Sequence, residues 1–463
     1  MPNEFDFDTP KPSIAARMDA GKNLRKKVSR NAQAEFVLPV NRVDPIDLLI
    51  AQGKTRIENL VPVRHARMLT SPFAFLRGGA AIMAQDLRTS LSSGISVQIC
   101  GDMHVANFGV FASAERNLVF GINDFDETLP GPWEWDLKRL VTSIVVAGRF
   151  LGADKVVCEE ATRIAVKSYR EHMRDFAEMG YLQLWYERID DRRLLDALPP
   201  RVRRMAEENL MERARKRTHL QVLSSQTELF DDKWRIIEDR PLIVRETKDG
   251  RGNDIKVALG RFFKAYMETL SEDRRWLLSR YRIVDVARKV VGVGSVGTRC
   301  WVVLMEGADR DDPLFLQAKE AQQSVLAPHL LKSASYDNQG HRVVIGQRLI
   351  QGAPDILLGW GRTNDVDFYV RQLRDMKGSV EFDPENWDPE RLNSYCMACG
   401  WALALAHAKS GDAAMIAGYV GKSEALDEAL TTFAVAAADQ NEKDFALMQA
   451  AARQKRIKVA KSF

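Results

Sequence analysis

RIVDVARKVVGVGSVGTRCWVVLM, residues 282–305, is the stretch on which the reading of this chain turns. It opens with a β-branched run, passes through GVGSVG at 292–297, and resumes with TRCWVVLM. A G-x-G-x-x-G that opens a dinucleotide-binding fold needs a helix directly after the glycines, whose N-terminus takes the pyrophosphate. The residues after these glycines are β-branched and aromatic, and predict a second strand. Strand, glycine loop, strand is instead a hairpin that can lie over phosphates, because glycines let backbone amides approach oxygens without a Cβ in the way. Gly292, Gly294, Ser295 and Gly297 are the candidate phosphate contacts. The next strand, LFLQAKEA, carries Lys319 within reach of the same phosphates. VVIGQRLIQGAP at 343–354 is expected to be a strand and hinge whose backbone, around Gln347 and Leu349, pairs with adenine.

Outward from this segment the pattern turns helical. Residues 44–91 and 155–280 read mostly as helices, Asp136 opens a helix with Leu137, Leu140, Val141, Ile144 and Val145 on one stripe, and helices return after Asp365. The expected fold is therefore α+β and bilobal, with a small antiparallel β lobe beside a larger α-rich lobe. The expected divisions are an extension at 1–45, a helical lobe at 46–282, the β-rich nucleotide-binding segment at 283–360, and further helical lobe at 361–463. A length of 463 residues with 45% hydrophobic and 28% charged residues excludes wholesale disorder, collagen and coiled coil. The net charge of +4 gives no specific nucleic-acid signal, and the basic runs RKKVSR (25–30) and RQKRIKVAK (453–461) read as solvated tails. No apolar run reaches membrane-spanning length and the N-terminus has no apolar secretory core, so a cytoplasmic location is expected. Five cysteines without a secretory signal read as free thiols, with Cys396 and Cys399 on one face of a helix over 392–408.

Two turns carry the acidic chemistry. In GDMHVANFG, 101–109, Asp102 and Asn107 follow the strand ISVQIC; in NDFDE, 123–127, Asp124 and Asp126 follow the strand NLVFGI. Mg²⁺ takes hard oxygen donors and keeps several waters, so Asn107 and Asp124 are a sufficient protein contribution. Asp102 is then free to orient or deprotonate a hydroxyl, with His104 beside it. An Asp-x-x-x-x-Asn followed about twenty residues later by a metal-binding Asp is the spacing of kinase-type phosphoryl transfer. Arg77, Asp126, Arg371, Arg374 and Lys377 are candidate contacts to a substrate anion or to phosphates. A His407–Asp412 dyad in AHAKSGD competes with packing of His407 at a helix end.

GDMHVAN, INDFDE and the following GPWEWDL resemble the succession of motifs in aminoglycoside phosphotransferases and related small-molecule kinases. The resemblance implies Asp102 as catalytic base, Asn107 and Asp124 as metal ligands, ATP and Mg²⁺ as cofactors, and Asp136 as the brace of the catalytic loop. Two departures stand out. No glutamate occurs between Glu320 and Glu381, so the usual lysine partner is absent, with Asp337 or Asp355 as possible substitutes. The acidic turns also precede the glycine loop, which implies circular permutation if the motifs are not coincidental. Nearly the whole chain, through RMLTSPFAFLRGGAA, NDFDETLPGPWEWDLKRL, VGVGSVGTRCWVVL and AHAKSGDAAMIAGYVG, resembles a bacterial family known as domain of unknown function 2252. The expectation is an ATP-dependent phosphotransferase acting on a hydroxyl-bearing small molecule or protein. A non-catalytic nucleotide-binding regulator and, through Asp102-x-His104, a metallohydrolase are the alternatives.

Overall fold

The structure is a computed structural model that describes residues 7–461 apart from 218, 232, 247, 249–251, 253–254, 291, 331–333 and 374–375. Helices Pro45–Gly53 (α1), Val61–Met68 (α2), Pro72–Gly78 (α3) and Ala80–Leu87 (α4) lead to strand Ser96–Ile99 (β1). Asp44 and Ser71 accept backbone N–H groups at the starts of α1 and α3, each followed by proline at the first turn. Strands Phe108–Ala112 (β2), Leu118–Ile122 (β3) and Leu129–Pro132 (β4) come next, then the long helix Trp133–Phe150 (α5). The expected stripe of α5 is buried, and so is nearly every other face of this helix, because Lys155–Ala177 (α6) and later helices surround it. It begins at Trp133, three residues before Asp136, with Glu134 and Asp136 both in the first turn where the helix dipole favours carboxylates. Strand β2 has no counterpart among the expected elements; its FGVFA run pairs antiparallel with β3 from Phe108↔Ile122 to Ala112↔Leu118.

Next come Ile243–Arg245 (β5), Ile255–Glu268 (α7), Arg282–Lys289 (β6), Cys300–Glu306 (β7) and Pro313–Glu320 (β8). Gln339–Ile350 (α8), Gly359–Thr363 (β9) and Val366–Gln372 (β10) complete this part. These strands form one antiparallel six-stranded sheet in the order β9-β10-β8-β7-β6-β5, so the fold is α+β. The sheet's strands extend from Ile243 to Gln372, wider than the 283–360 segment. Its period-two alternation sends Val303, Leu316, Ala318 and Val370 against Phe262 and Tyr266 of α7, and Val302, Leu304 and Phe315 to the opposite face.

The run VVIGQRLI is a helix, not the strand and hinge that its β-branched residues suggest. Asn338 caps α8 by accepting from His341 N at 3.1 Å, and Asp367 accepts from Gln339 N at 2.8 Å. Val343, Gln347 and Ile350 then share the buried side at helical spacing, so capping and tertiary packing override local β propensity. The chain closes with Gly378–Ser379 (β11), which pairs with β2, and helices Pro389–Ser410 (α9), Ala413–Val420 (α10) and Ala425–Arg453 (α11). These pack with α5 and α6 into the main core, where Cys396 and Cys399 are buried; all five cysteines are free. No helix among the described residues is long and apolar enough to cross a membrane.

Candidate active site

Strand β1 ends at Ile99, and the backbone then turns on the Asp136 carboxylate. Cys100 N and Gly101 N donate to it at 2.6 and 2.8 Å. Gly101 has φ 89°, and a Cβ there would sit 2.4 Å from the Glu127 carbonyl, so both the conformation and the close approach require glycine. Asp136 is buried, with His407 Nε2 3.3 Å away, and His407 Nδ1 in turn meets the Tyr169 hydroxyl at 2.9 Å. His407 therefore braces this turn. Asp412 instead caps α10 through Met415 N and pairs with Arg17, so no His407–Asp412 dyad exists.

Within the turn, Asn107 Nδ2 donates to the Asp102 carbonyl at 2.7 Å, leaving the Asn107 amide oxygen as an acceptor. The Asp102 carboxylate receives Arg139 Nη2 at 2.6 Å and Nε at 2.9 Å from α5. Burial pushes the Asp102 carboxyl up from its ordinary value, against the opposing pull of Arg139. His104 Nε2 lies 3.9 Å from Asp102 and Nδ1 has no partner; burial, aided by Arg77 and Arg139, drives its pKa well down, so the ring is neutral.

The second acidic turn meets the sheet. Lys319, at the end of β8, is buried and hydrogen-bonds Asp126, with Asp124 at 3.9 Å. Asp126 also accepts the Tyr369 hydroxyl at 2.8 Å. The lysine's acidic partners thus come from the NDFDE turn rather than from α8, Asp337 or Asp355. Helix α8 sends a cation instead: Arg342 donates to the carbonyls of Asp126, Thr128 and Gln322 at 2.6–2.7 Å and clamps the turn. Glu320 faces away to Arg299 at 3.1 Å. Burial raises the pKa of Asp124, but Lys319 and Arg371 outweigh it and hold the carboxyl below its ordinary value. The same pair of aspartates outweighs burial at Lys319 and keeps it protonated. The Glu127 carboxylate accepts the Val325 N–H at 2.7 Å, and burial pushes its pKa up to about 7.

The glycine loop is a turn with positive φ at Gly292 and Gly297. It docks on the N-terminal helices: Arg67 donates to Gly292 O at 2.6 Å, Arg56 to Val296 O at 2.5 Å, and Ile57 N to Gly297 O at 2.8 Å. Gly294 passes so close to Arg77 O that a Cβ would lie 3.1 Å from it. One cavity is lined by Asp102, His104 and Asn107, by Asp124, Asp126 and Glu127, and by Gly292, Gly294, Ser295 and Thr298. Three segments distant in sequence therefore face one space. Arg56, Arg64 and Arg77 line it as well, each with buried guanidinium nitrogens that lack a partner. Arg77 was identifiable from sequence. Arg56 and Arg64 were not, since an isolated arginine in a bend or on a short helix carries no motif.

The donor set suits a hard cation and phosphate oxygens. The Asp124 carboxylate is 38% exposed, the Asn107 oxygen is available, and partnerless guanidinium nitrogens wait in the wall. Among the described residues no group of three or more His, Cys, Asp or Glu is arranged to hold a metal, which leaves the metallohydrolase expectation without its ligand cluster. Gln347 and Leu349 do not belong to this site. They lie in α8, where Gln347 donates to Gln351 and the backbone is spent on helical hydrogen bonds. Arg371 ties Gln317 to the Asn123 carbonyl at 3.1 and 3.2 Å, and Arg374 lies outside the described residues.

The chain belongs to the family described as "Uncharacterized protein conserved in bacteria" (DUF2252), whose family model matches residues 56–451. No curated protein and no solved structure matches it.

Proposed function

We propose that the chain is an ATP-dependent phosphotransferase with a kinase-like, circularly permuted arrangement, acting on a hydroxyl-bearing acceptor. The observation that carries this reading is the convergence of residues 101–107, 124–127 and 292–298 on one cavity. The element succession supports it too: a glycine loop between the first two strands of a run, a lysine on the third, then a helix, with the Asp-x-x-x-x-Asn turn and the metal-site aspartate facing them. Asp126 and Asp124 take the place of the helix glutamate as partners of Lys319. In this reading Asn107 and Asp124 would hold Mg²⁺, which when bound neutralises phosphate charge. Lys319 and the glycine loop would orient the nucleotide. Asp102 would accept the acceptor's proton, and Asp136 would hold the turn in place.

One observation favours a second reading, a nucleotide-binding regulator without catalysis: Asp102 already holds two hydrogen bonds from Arg139. Calorimetry with Mg·AMP-PNP beside an ATP-consumption assay separates the two. The phosphotransferase reading expects binding and consumption, and expects Asp102→Ala to bind nucleotide while losing about 10²–10⁴ in turnover. Equal turnover in that variant refutes the role of Asp102; binding without consumption selects the regulator.

A further inference from the structure

The cavity's charges do not balance within the protein. Of the five carboxylates in its lining, Asp102 is paired with Arg139, Asp126 and, at 3.9 Å, Asp124 with Lys319, and Glu320 with Arg299, while Glu127 accepts the Val325 N–H. Three guanidinium groups in the same wall have no such counterpart: among the described residues no carboxylate lies at ion-pair distance from Arg56, Arg64 or Arg77. Arg64 is the extreme case. It is 1% exposed, and among the described residues its guanidinium hydrogen-bonds only from Nη2, to Gln52 Oε1 at 3.0 Å and Gly78 O at 2.9 Å. Its Nε and Nη1 are buried without partners. Arg77 stacks over Phe73 at 5.8 Å and leaves Nε equally orphaned. Arg56 spends Nη1 on the Val296 carbonyl and leaves Nε free.

Burying an unpaired cation costs several kcal/mol in ordinary circumstances. Arg64 is buried with half-buried Arg56 close enough to depress its pKa beyond the effect of burial, and Arg77, also half-buried, lines the same wall. Arg56 and Arg64 each hold a backbone carbonyl, of Val296 and Gly78, but those bonds leave the remaining buried nitrogens without a task inside the fold. The planar guanidinium fork matches tetrahedral and carboxylate oxyanions in two-point contacts. The placement is graded as well. Arg77 feels the field of Asp102 and Asp124, whereas Arg56 feels Glu127, Glu320 and Asp126. The triad thus spans the cavity from the Asp102 end to the Glu320 end.

We infer that Arg64 and Arg77, reinforced by Arg56, form an oxyanion site that holds the phosphate group of a phosphorylated acceptor with its hydroxyl toward Asp102. This deepens the phosphotransferase reading and rests on it for the word acceptor. The site itself rests on the partnerless arginines alone. A phosphate monoester dianion presents the paired oxygens that guanidinium forks take in two-point contacts.

Inorganic phosphate serves as the probe, titrated calorimetrically into the full-length protein with and without saturating Mg·AMP-PNP, and acetate is the singly charged control. Phosphate is expected to bind once per chain in both states, and acetate not at all. Arg64→Met and Arg77→Met are each expected to weaken phosphate at least tenfold while Mg·AMP-PNP affinity stays within twofold. Arg64→Met is expected to melt no lower than the parent, because it removes a stranded charge; if it fails to fold, Arg64→Lys, which keeps charge but loses the fork, and Arg77→Met carry the test. Absence of phosphate binding overturns the site. Displacement of phosphate by Mg·AMP-PNP, or equal loss of both ligands in the variants, gives the arginines to the nucleotide and overturns the acceptor assignment. Phosphate binding that the variants abolish, in a protein that never binds Mg·AMP-PNP, upholds the oxyanion site and strikes only the phosphotransferase reading.

Discussion

The link between Lys319 and Asp126 joins the sheet to the acidic turn, across 193 positions of sequence, and its energetics derive from unequal burial. The Lys319 side chain is 3% exposed and that of Asp126 is 28% exposed. Asp126→Ala strands an ammonium group in the interior. Removing one partner of a buried pair costs about 3–5 kcal/mol, and Asp124 at 3.9 Å keeps the expected loss near the lower figure, about 3 kcal/mol. Lys319→Met strands nothing comparable. Asp126 reaches water and keeps the Tyr369 hydroxyl, so the expected loss is that of one charge-assisted hydrogen bond, about 1.5 kcal/mol. The double variant buries no lone charge and is expected to lose about 2 kcal/mol, which gives a coupling of about 2.5 kcal/mol. Urea denaturation of the four proteins, monitored by tryptophan fluorescence, measures the cycle. The Lys319 end of the pair is buried, so the coupling should largely persist in 1 M salt. A coupling below about 0.5 kcal/mol, or a larger loss from Lys319→Met than from Asp126→Ala, would refute the argument.

Single groups give further expected outcomes. Glu127 is half-buried with its pKa raised to about 7, so the unfolded chain releases this proton first as pH rises. Its contribution to stability is full below about pH 4.5 and is lost as pH rises through 7, a loss of about 3 kcal/mol. Glu127→Gln should remove that dependence, and a stability difference from the parent that stays flat between pH 4.5 and 8 would exclude it. Asp136→Asn places an amide where the Cys100 and Gly101 N–H groups need a charged acceptor. It should cost about 3 kcal/mol and speed amide hydrogen exchange at Gly101, and a loss under about 1 kcal/mol contradicts the bracing role. Gly346→Ala would place a Cβ 2.3 Å from Thr128 Cγ2, where α8 presses on the acidic turn. Overpacking of about 1–3 kcal/mol should exceed the roughly 1 kcal/mol gain in helix propensity; a raised melting temperature would show otherwise.

The chain's own order of residues determined what is local. The turn at 101–107 was legible because a glycine follows the strand and Asn107 ties back to the Asp102 carbonyl only five residues away. The strand–loop–strand at 282–305 was legible because β-branched runs flank glycines with no helix signal after them. Helix α8 was misread because VVI favours a strand in isolation, whereas its Asn338 cap and the Asp367 contact draw on tertiary structure as well as sequence. Tertiary structure alone decided the partner of Lys319, the clamp by Arg342, and the gathering of Arg56, Arg64 and Arg77 around one cavity. A charge declares its residue type in sequence, but its partner, or the lack of one, depends on burial and on chain segments hundreds of residues away. That is why the place of the two turns, each after its strand, could be read directly, while the charge balance of the cavity they share could not.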